Sequence, residues 1–471
     1  MNKDKYIKDL EAKLKKFEDI INVSVEMMDV LSNENESLIS RVKELENLVD
    51  GAKGKTTRKT SRNSSLPPSK DLERFQRNKS TRKRSGKKSG GQKGHKGSTL
   101  KMSLFPDKVI PIIPKKCIGC GSSLNTNDKE LVDSRQEIDI PPVKALNYQY
   151  DKYSIVCSCG QCNAGNFPER LKTKVQYGPR MRTWITYLNT YQIIPFKRLK
   201  EFFKSAFAVS LSEGTLVNTV SRTAKLAGNL YEYIRTFIEQ SKVVGADETV
   251  IFSNGKRSYY WAFQNKQASY IAFDETRRKD VILKNFPEGF PNAILTSDRY
   301  AAYFSTPAKG YQICWAHLLR DLQYLKETED NKYVDALYSI YNRAKKLESL
   351  KTSNSRNGKK VKSLERDMND LLLKDINEKY SETKTLLQSL KKHRASLFSF
   401  LYNKDVESHN NGTERVFRNA KTKMKVSGQF KSGQKDYAII RSLIDTLVKN
   451  NRPIFESFFN LHSGKDVILG F

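Results

Sequence analysis

No stretch of the chain approaches the ~18 consecutive apolar residues of a membrane-spanning helix, so no span is expected. The N-terminal segment reads as a charged amphipathic helix and not as a secretory leader. Cysteine is scarce. Six in 471 residues exclude a disulfide scaffold, and five of the six fall between Cys117 and Cys162, a clustering that points to metal in a reducing cytosol. Apolar residues make up only 38% of the chain, low for a wholly globular protein, so part of the length is expected to be coil, tail or linker. Acid is also in deficit: 52 Asp and Glu stand against 84 Lys and Arg, for a net charge of +32 and a pI near 9.7. Such a surplus reflects either genome-wide Lys usage or a polyanion partner. The charge is clustered, which favours the partner, because each phosphate neutralised by Lys or Arg releases a condensed counterion. The length suggests three or more domains.

Residues 1–50 carry a seven-residue repeat. Ile7, Leu10, Leu14, Phe17, Ile21, Ser24, Met28, Leu31, Asn35, Leu38, Val42, Leu45 and Val49 alternate steps of three and four, broken only by Ser24 and Asn35. A 3.5-residue period predicts a left-handed coiled coil, with Asn35 at an a position favouring two strands in register; the alternative is a helix folded back on its own chain. A homodimer or higher oligomer is the expectation. Residues 51–104 form a basic linker: positions 51–100 hold 16 Lys and Arg against Asp71 and Glu73 and show no apolar periodicity. Two islands within it, NSSLPPSKD (63–71) and GGQKGHKG (90–97), stand out without declaring a chemistry.

Residues 105–175 are expected to bind zinc. Cys117-x2-Cys120-Gly121 and Cys157-x-Cys159-x2-Cys162 are separated by candidate strands at 136–140 and 148–156. Paired knuckles of this kind suit a tetrahedral thiolate site, here Cys117, Cys120, Cys159 and Cys162, with Cys157 able to replace Cys159. Four thiolates leave no open position, so that zinc would be structural. Residues 176–240 read as helical. A helix over 196–207, a break, and Ser212 capping a second helix through Leu226 have helix-turn-helix proportions, which would offer Thr215, Asn218, Thr219 and Arg222 to a DNA groove; an ordinary helical hairpin is the alternative.

From Lys242 the period changes to that of strands. Val243–Ser253, 258–264 and 268–274 predict a meander with Asn254-Gly255 as its first turn, followed by a helix (278–286) and a buried strand (292–297). This β-β-β-α-β order is that of the ribonuclease-H-like fold, in which the first and fourth strands are neighbours. Asp247 in the first strand and Asp298 just after the fourth would then meet. A carboxylate within a central strand is costly unless a cation neutralises it. An exposed strand Asp and a loop-capping Asp are the plainer readings of the two.

NSSLPPSKD, GGQKGHKG, the cysteine knuckles, ADET, TSDRYAAY, CWAHLLRD and NNGTERVFRNAK occur here in the order seen in TnpC-type transposases of the insertion-sequence-sixty-six family, and the chain resembles that family over nearly its whole length. The resemblance implies a multidomain α/β protein whose ribonuclease-H-like catalytic domain (241–445) carries a helical insertion at about 320–400, with a C-terminal tail over 446–471. It implies a DDE triad of Asp247, Asp298 and Glu414 holding two Mg2+ (or Mn2+) ions, which hydrolyse a strand at the element end and pass its 3′-hydroxyl to target DNA. Glu414 rests on that resemblance alone, since a glutamate in a first helical turn is otherwise a dipole partner. Arg415, Arg418 and Lys421, with Lys423 and Lys425, are available to phosphate. His317 and Arg320 either touch DNA near the scissile phosphate or belong to a structural helix. The implied partners are double-stranded DNA, as terminal repeats and target, and accessory proteins of the same element; the implied location is the bacterial cytoplasm, on the nucleoid. The alternatives are a non-catalytic DNA-binding repressor derived from a transposase and a ribonuclease-H-like nuclease that cuts without joining.

Overall fold

In a computed structural model of the chain, residues 24, 27–28, 30–32, 34–42, 94, 96, 100–125, 127, 129–141, 143–349 and 355–471 are described. Most of the heptad stretch, the island at 63–71 and all but Gly94 and Lys96 of the island at 90–97 lie outside them. Where the heptad seam is described it is helical, and Met28, Leu31, Leu38 and Val42 are exposed. Among the described residues no helix is long and apolar enough to cross a membrane.

The architecture is mixed α/β and divides into two compact units. One contains Gln240–Asp247 and Arg278–Glu414; the other contains Glu248–Arg277, Arg415–Phe471 and the described residues from 94 to 239. In chain order the strands are β1 (Ser154–Val156), β2 (Cys162–Ala164), β3 (Val243–Ser253), β4 (Lys256–Gln264), β5 (Ser269–Asp274), β6 (Phe290–Ser297) and β7 (Ala308–Ile313). The helices used below are α1 (Pro179–Thr186), α2 (Phe196–Phe207), α3 (Glu213–Leu226), α4 (Gly228–Glu239), α5 (Asp280–Asn285), α6 (Ala301–Phe304), α7 (Trp315–Thr328), α8 (Lys332–Ser349), α9 (Ser355–Leu372), α10 (Ser381–Lys392), α11 (Ser399–Tyr402), α12 (Asn411–Val416), α13 (Arg418–Ser427), α14 (Gln434–Lys449) and α15 (Ile454–His462). Strand β3 contributes its first half to one unit and its second half to the other.

In the first unit β3, β6 and β7 are neighbours and parallel, with Val243 opposite Ile294, Gly245 opposite Thr296 and Ser297 opposite Ile313. Parallel strands are covered on both faces, which is why this stretch reads as apolar runs and not as an alternation. The segment between β7 and α12 is helical, as expected of the insertion. Its apolar faces enclose Trp315, Leu318, Leu322 and Leu325 of α7 with Leu337 of α8, Leu364 of α9 and Leu390 of α10. Two buried polar links close it on itself and on the sheet: Trp315 Nε1 donates to Leu397 O (2.7 Å), and Gln312 Oε1 accepts from Phe400 N (2.9 Å).

In the second unit β4 pairs antiparallel with β5, and β3 turns into β4 at Asn254-Gly255, both in the left-handed region (φ 48° and 76°) that this two-residue turn requires. Strand β5 has an open edge, and α14 closes it. Ser442 Oγ accepts from Ile271 N (2.8 Å) and Thr446 Oγ1 from Ser269 N (3.1 Å), so two ladder donors are satisfied by hydroxyls instead of a further strand. Residues 446–471, expected as a tail, hold the end of α14 and all of α15, with Leu447 and Phe458 fully buried. The strand expected at 136–140 is absent, and the one expected at 148–156 shrinks to β1. Every described residue from 129 to 141 is exposed and has no partner strand, so local β preference has no ladder to join.

Helices α1, α3 and α15 meet at buried polar groups. Thr223 donates its hydroxyl to Thr219 O (2.8 Å), leaving its oxygen to accept from Thr186 (2.8 Å) and from His462 Nε2 (3.2 Å). His462 Nδ1 is buried without a partner. Protonating it would bury an uncompensated charge, and burial, reinforced by Arg182, lowers its pKa from 6.5 to about 4. A depressed folded-state pKa means that the unfolded chain binds the proton first. The His462 contribution is therefore complete above pH 6.5 and is lost as pH falls towards 4, by about 3 kcal/mol in all. Thermal unfolding at pH 7 and pH 4.5 should show this loss for the parent chain and a smaller one for His462→Gln; equal losses would contradict the assignment.

Candidate active site

The parallel register of β3 with β6 ends at Gly245 opposite Thr296, and two residues further along each strand stand Asp247 and Asp298. The two acids thus stand level with each other, Asp247 within β3 and Asp298 just past the end of β6, both half-buried. Asp298 also does what a loop aspartate does: its Oδ1 accepts from Tyr300 N (2.9 Å), ordering the turn into α6.

Glu414 lies in the first turn of α12. Its Oε1 accepts from Arg320 Nη2 at 2.9 Å and lies 3.8 Å from His317 Nε2. Both partners come from α7, where positions 317 and 320, three apart, share one helix face. Burial pushes the His317 imidazole below its ordinary value of 6.5 and Arg320 adds to that; Asp298, Glu414 and Asp321 pull the other way and are outweighed. His317 is therefore neutral at pH 7. Of the expected triad, Glu414 is the acid that lies against this imidazole. One helix turn away, Arg299 pairs with Asp321, whose carboxyl is raised by burial in spite of that partner.

Three carboxylates are the hard oxygen donors that Mg2+ or Mn2+ prefers, so the residues fit in kind. Among the described residues, however, no group of three or more His, Cys, Asp or Glu is arranged to hold a metal ion, and Glu414 faces Arg320. His317 and Arg320, expected either at DNA or in a structural helix, are drawn to this carboxylate.

The cysteines form two tight turns in the second unit. Cys117 N donates to Ser122 O and Gly121 N to Cys117 O (both 2.9 Å); Cys157 N donates to Gln161 O and Gly160 N to Cys157 O (both 2.8 Å). Hydrogen bonds from Ser122 first, then Cys117, lower the Cys120 thiol to about 7, and bonds from Cys159 lower Cys157. Cys162 sits outside the second turn, at the start of β2 opposite Val156.

The two helices expected at 196–207 and after Ser212 form where the sequence places them, with Ser212 Oγ accepting from Thr215 N (3.1 Å) as the cap. Asn218 and Arg222 are exposed on α3 and Thr215 is half-buried. Thr219 is not available to a groove. It is buried and donates to Thr215 O, because it belongs to the helix's inward face. Arg415, Arg418 and Lys421 are exposed, and from Arg418 the spacing to Lys421 and Lys425 keeps them on one side of α13. Lys423 turns the other way. Its Nζ lies 5.3 Å from the Tyr437 ring centre and 5.9 Å from those of Phe196 and Phe430, and burial lowers it to about 8.

Sequence reasoning passed over Asp321, Arg299 and Asn410. Asp321 carried no signal beyond the helical spacing of CWAHLLRD, and Arg299 none beyond its place after Asp298 in TSDRYAAY. Asn410 carried one, a capping residue before a helix. The ion pairs differ in burial, and this separates their energetics. Asp321→Ala leaves the mostly buried Arg299 unpaired and should cost about 2 kcal/mol. Arg320→Ala frees a carboxylate that is 39% exposed and should cost less than about 1 kcal/mol. Urea unfolding of the two variants checks the order, and a larger loss for Arg320→Ala would reverse the reading.

Residues 5–101 match a family of unknown function, DUF6444. No curated protein matches the chain. Residues 174–436, more than half of its length, match the family described as Transposase IS66 family, and this span contains all three acids and the α7 face that meets Glu414. The chain is thus a member of the IS66 family of transposases.

Proposed function

We propose that this transposase cuts a DNA strand at the element end and joins it to target DNA at a site formed by Asp247, Asp298 and Glu414. The observation that carries this reading is the alignment of Asp247 with Asp298 on parallel neighbours β3 and β6, with Glu414 delivered to the same unit by α12. The strand order β5-β4-β3-β6-β7, antiparallel between β4 and β5 and parallel from β3 through β7, supports a ribonuclease-H-like domain with a helical insertion. Two divalent ions held by the three carboxylates would supply charge stabilisation to the attacking and leaving oxygens. Arg320 orients Glu414, and His317 beside it, its imidazole pushed below its ordinary value by burial, can accept a hydrogen bond at Nε2. Arg415, Arg418 and Lys421, exposed on and before α13, would hold DNA backbone, with Asn218 and Arg222 of α3 as a second contact.

Alanine at Asp247, Asp298 or Glu414 should abolish Mg2+-dependent cleavage and joining of element-end DNA while end binding in a mobility-shift assay stays near that of the parent. Joining by Asp247→Ala would remove that residue from the site. Cutting without joining by the parent would identify a nuclease, and binding without cutting a repressor.

The cysteine turns support a structural zinc. Cys117, Cys120 and Cys159 would ligate, and the turn geometry favours Cys157 over Cys162 as the fourth. Metal analysis of purified chains should find about one zinc in the parent, little in Cys117→Ser, Cys120→Ser or Cys157→Ser, and a near-parental amount in Cys162→Ser. Zinc lost from Cys162→Ser and kept in Cys157→Ser would exchange the two assignments. Self-association through the N-terminal heptads, accessory proteins, and the boundaries at 50, 104, 175 and 240 belong to the same proposal.

A further inference from the structure

Asn410 is only 3% exposed and every polar group it has is engaged. Its side-chain Nδ2 donates to Ala246 O at 2.7 Å, and that carbonyl belongs to the peptide whose amide is Asp247's. Its Oδ1 accepts from Thr413 Oγ1 (2.5 Å). Its backbone N donates to the buried Sγ of Cys314 (3.1 Å), and its carbonyl accepts from Thr413 N (3.1 Å) and Glu414 N (3.3 Å). The amide orientation is fixed by its neighbours: Ala246 O can only accept, so the nitrogen must face it. Cys314 is in turn tied to β6, donating its N–H to Ser297 O at 2.7 Å, next to Asp298. A second strand of contact runs alongside, with Trp315 N donating to Ser408 O (2.8 Å). One residue therefore links, through its side chain, the residue before the first acid and the helix start that carries the third, and, through its backbone N–H and Cys314, the residue beside the second.

From this linkage we infer that Asn410 is the positioning residue that sets where Glu414 stands relative to Asp247 and Asp298. The inference rests on the reading of those three acids as the reactive site. Glu414 itself is 39% exposed and is held at its tip only by α7, so its backbone must be placed by what precedes it. The buried thiol of Cys314 explains why a cysteine stands three residues before His317: a soft acceptor in an apolar setting takes the Asn410 N–H while burial keeps the thiol protonated. A purely structural Asn410 would matter to stability alone. A positioning Asn410 matters to the chemical step at constant DNA affinity, since misplacing a reacting group by about 1 Å costs about 100-fold in rate.

The test uses the full-length chain with Asn410→Asp, which keeps the Thr413 acceptor but sets an oxygen against Ala246 O, and the pair Cys314→Ala and Cys314→Ser. Two quantities are read: the single-turnover cleavage rate on saturating element-end DNA with Mg2+, and amide hydrogen exchange at 244–247 and 411–416. Asn410→Asp and Cys314→Ala should slow cleavage by about 100-fold, leave DNA affinity unchanged, and raise exchange in both segments together, with Cys314→Ser restoring most of the rate. Parental rate in Asn410→Asp, or exchange that rises across the whole chain with no selective change at these segments, would overturn the inference. If the parent itself does not cleave, the triad reading fails. The exchange data then still decide whether Asn410 couples the two segments.

Discussion

Pairing of β3 with β6 in parallel is the constraint on which the rest of the first unit depends. Two acids separated by fifty residues of chain are brought level with each other, one within β3 and one just past β6, because their distances from the last shared pair, Gly245 opposite Thr296, are equal. A shift of one residue in that register would turn one of the two acids to the opposite face of the sheet. The apolar runs Val243-Val244 and Ala293-Ile294-Leu295 hold the register by burial on the faces of the strands, and the helices of the insertion supply the cover.

Around this pair the molecule uses buried polar links where a simpler fold would use apolar packing. Gln312 fastens the helical insertion back to β7, Trp315 ties the insertion's first helix to Leu397 near its other end, and the Ser442 and Thr446 hydroxyls finish the open edge of β5. Each link satisfies a backbone group that would otherwise be buried unpaired, and each is directional in a way that hydrophobic contact is not. The insertion places about a hundred residues between the second and third acids; such links return the chain to one place after that excursion.

The electrostatics follow from the same geometry. Arg320 and His317 sit on one face of α7 and meet Glu414, while Arg299 and Asp321 neutralise each other a turn away. Positive charge on α13 is segregated: Arg418, Lys421 and Lys425 face solvent and Lys423 turns into a ring cluster. A run of lysines in the sequence does not distinguish these fates, because the helix period decides them and the packing partner decides which face is inward.

Local pattern determined a good deal by itself. The limits of β3, the Asn254-Gly255 turn, the Ser212 cap and the helices on either side of it follow from periodicity and capping, interactions among residues only a few positions apart. Family likeness supplied Glu414, which no local property separates from the other acids. Tertiary structure decided what local pattern could not. The stretch at 136–140 has strand composition and forms no strand, because no partner comes within reach. Thr219 has the chemistry of a groove contact and is buried, and residues 446–471 look like a tail and close the core. Asn410, an ordinary capping residue in the sequence, acquires its place only when Ala246 and Cys314, one 164 and the other 96 positions away, fold against it. Sequence neighbours set the elements because their contacts form without closing a long loop. The site is set by contacts across such loops, and they exist only once the chain has folded.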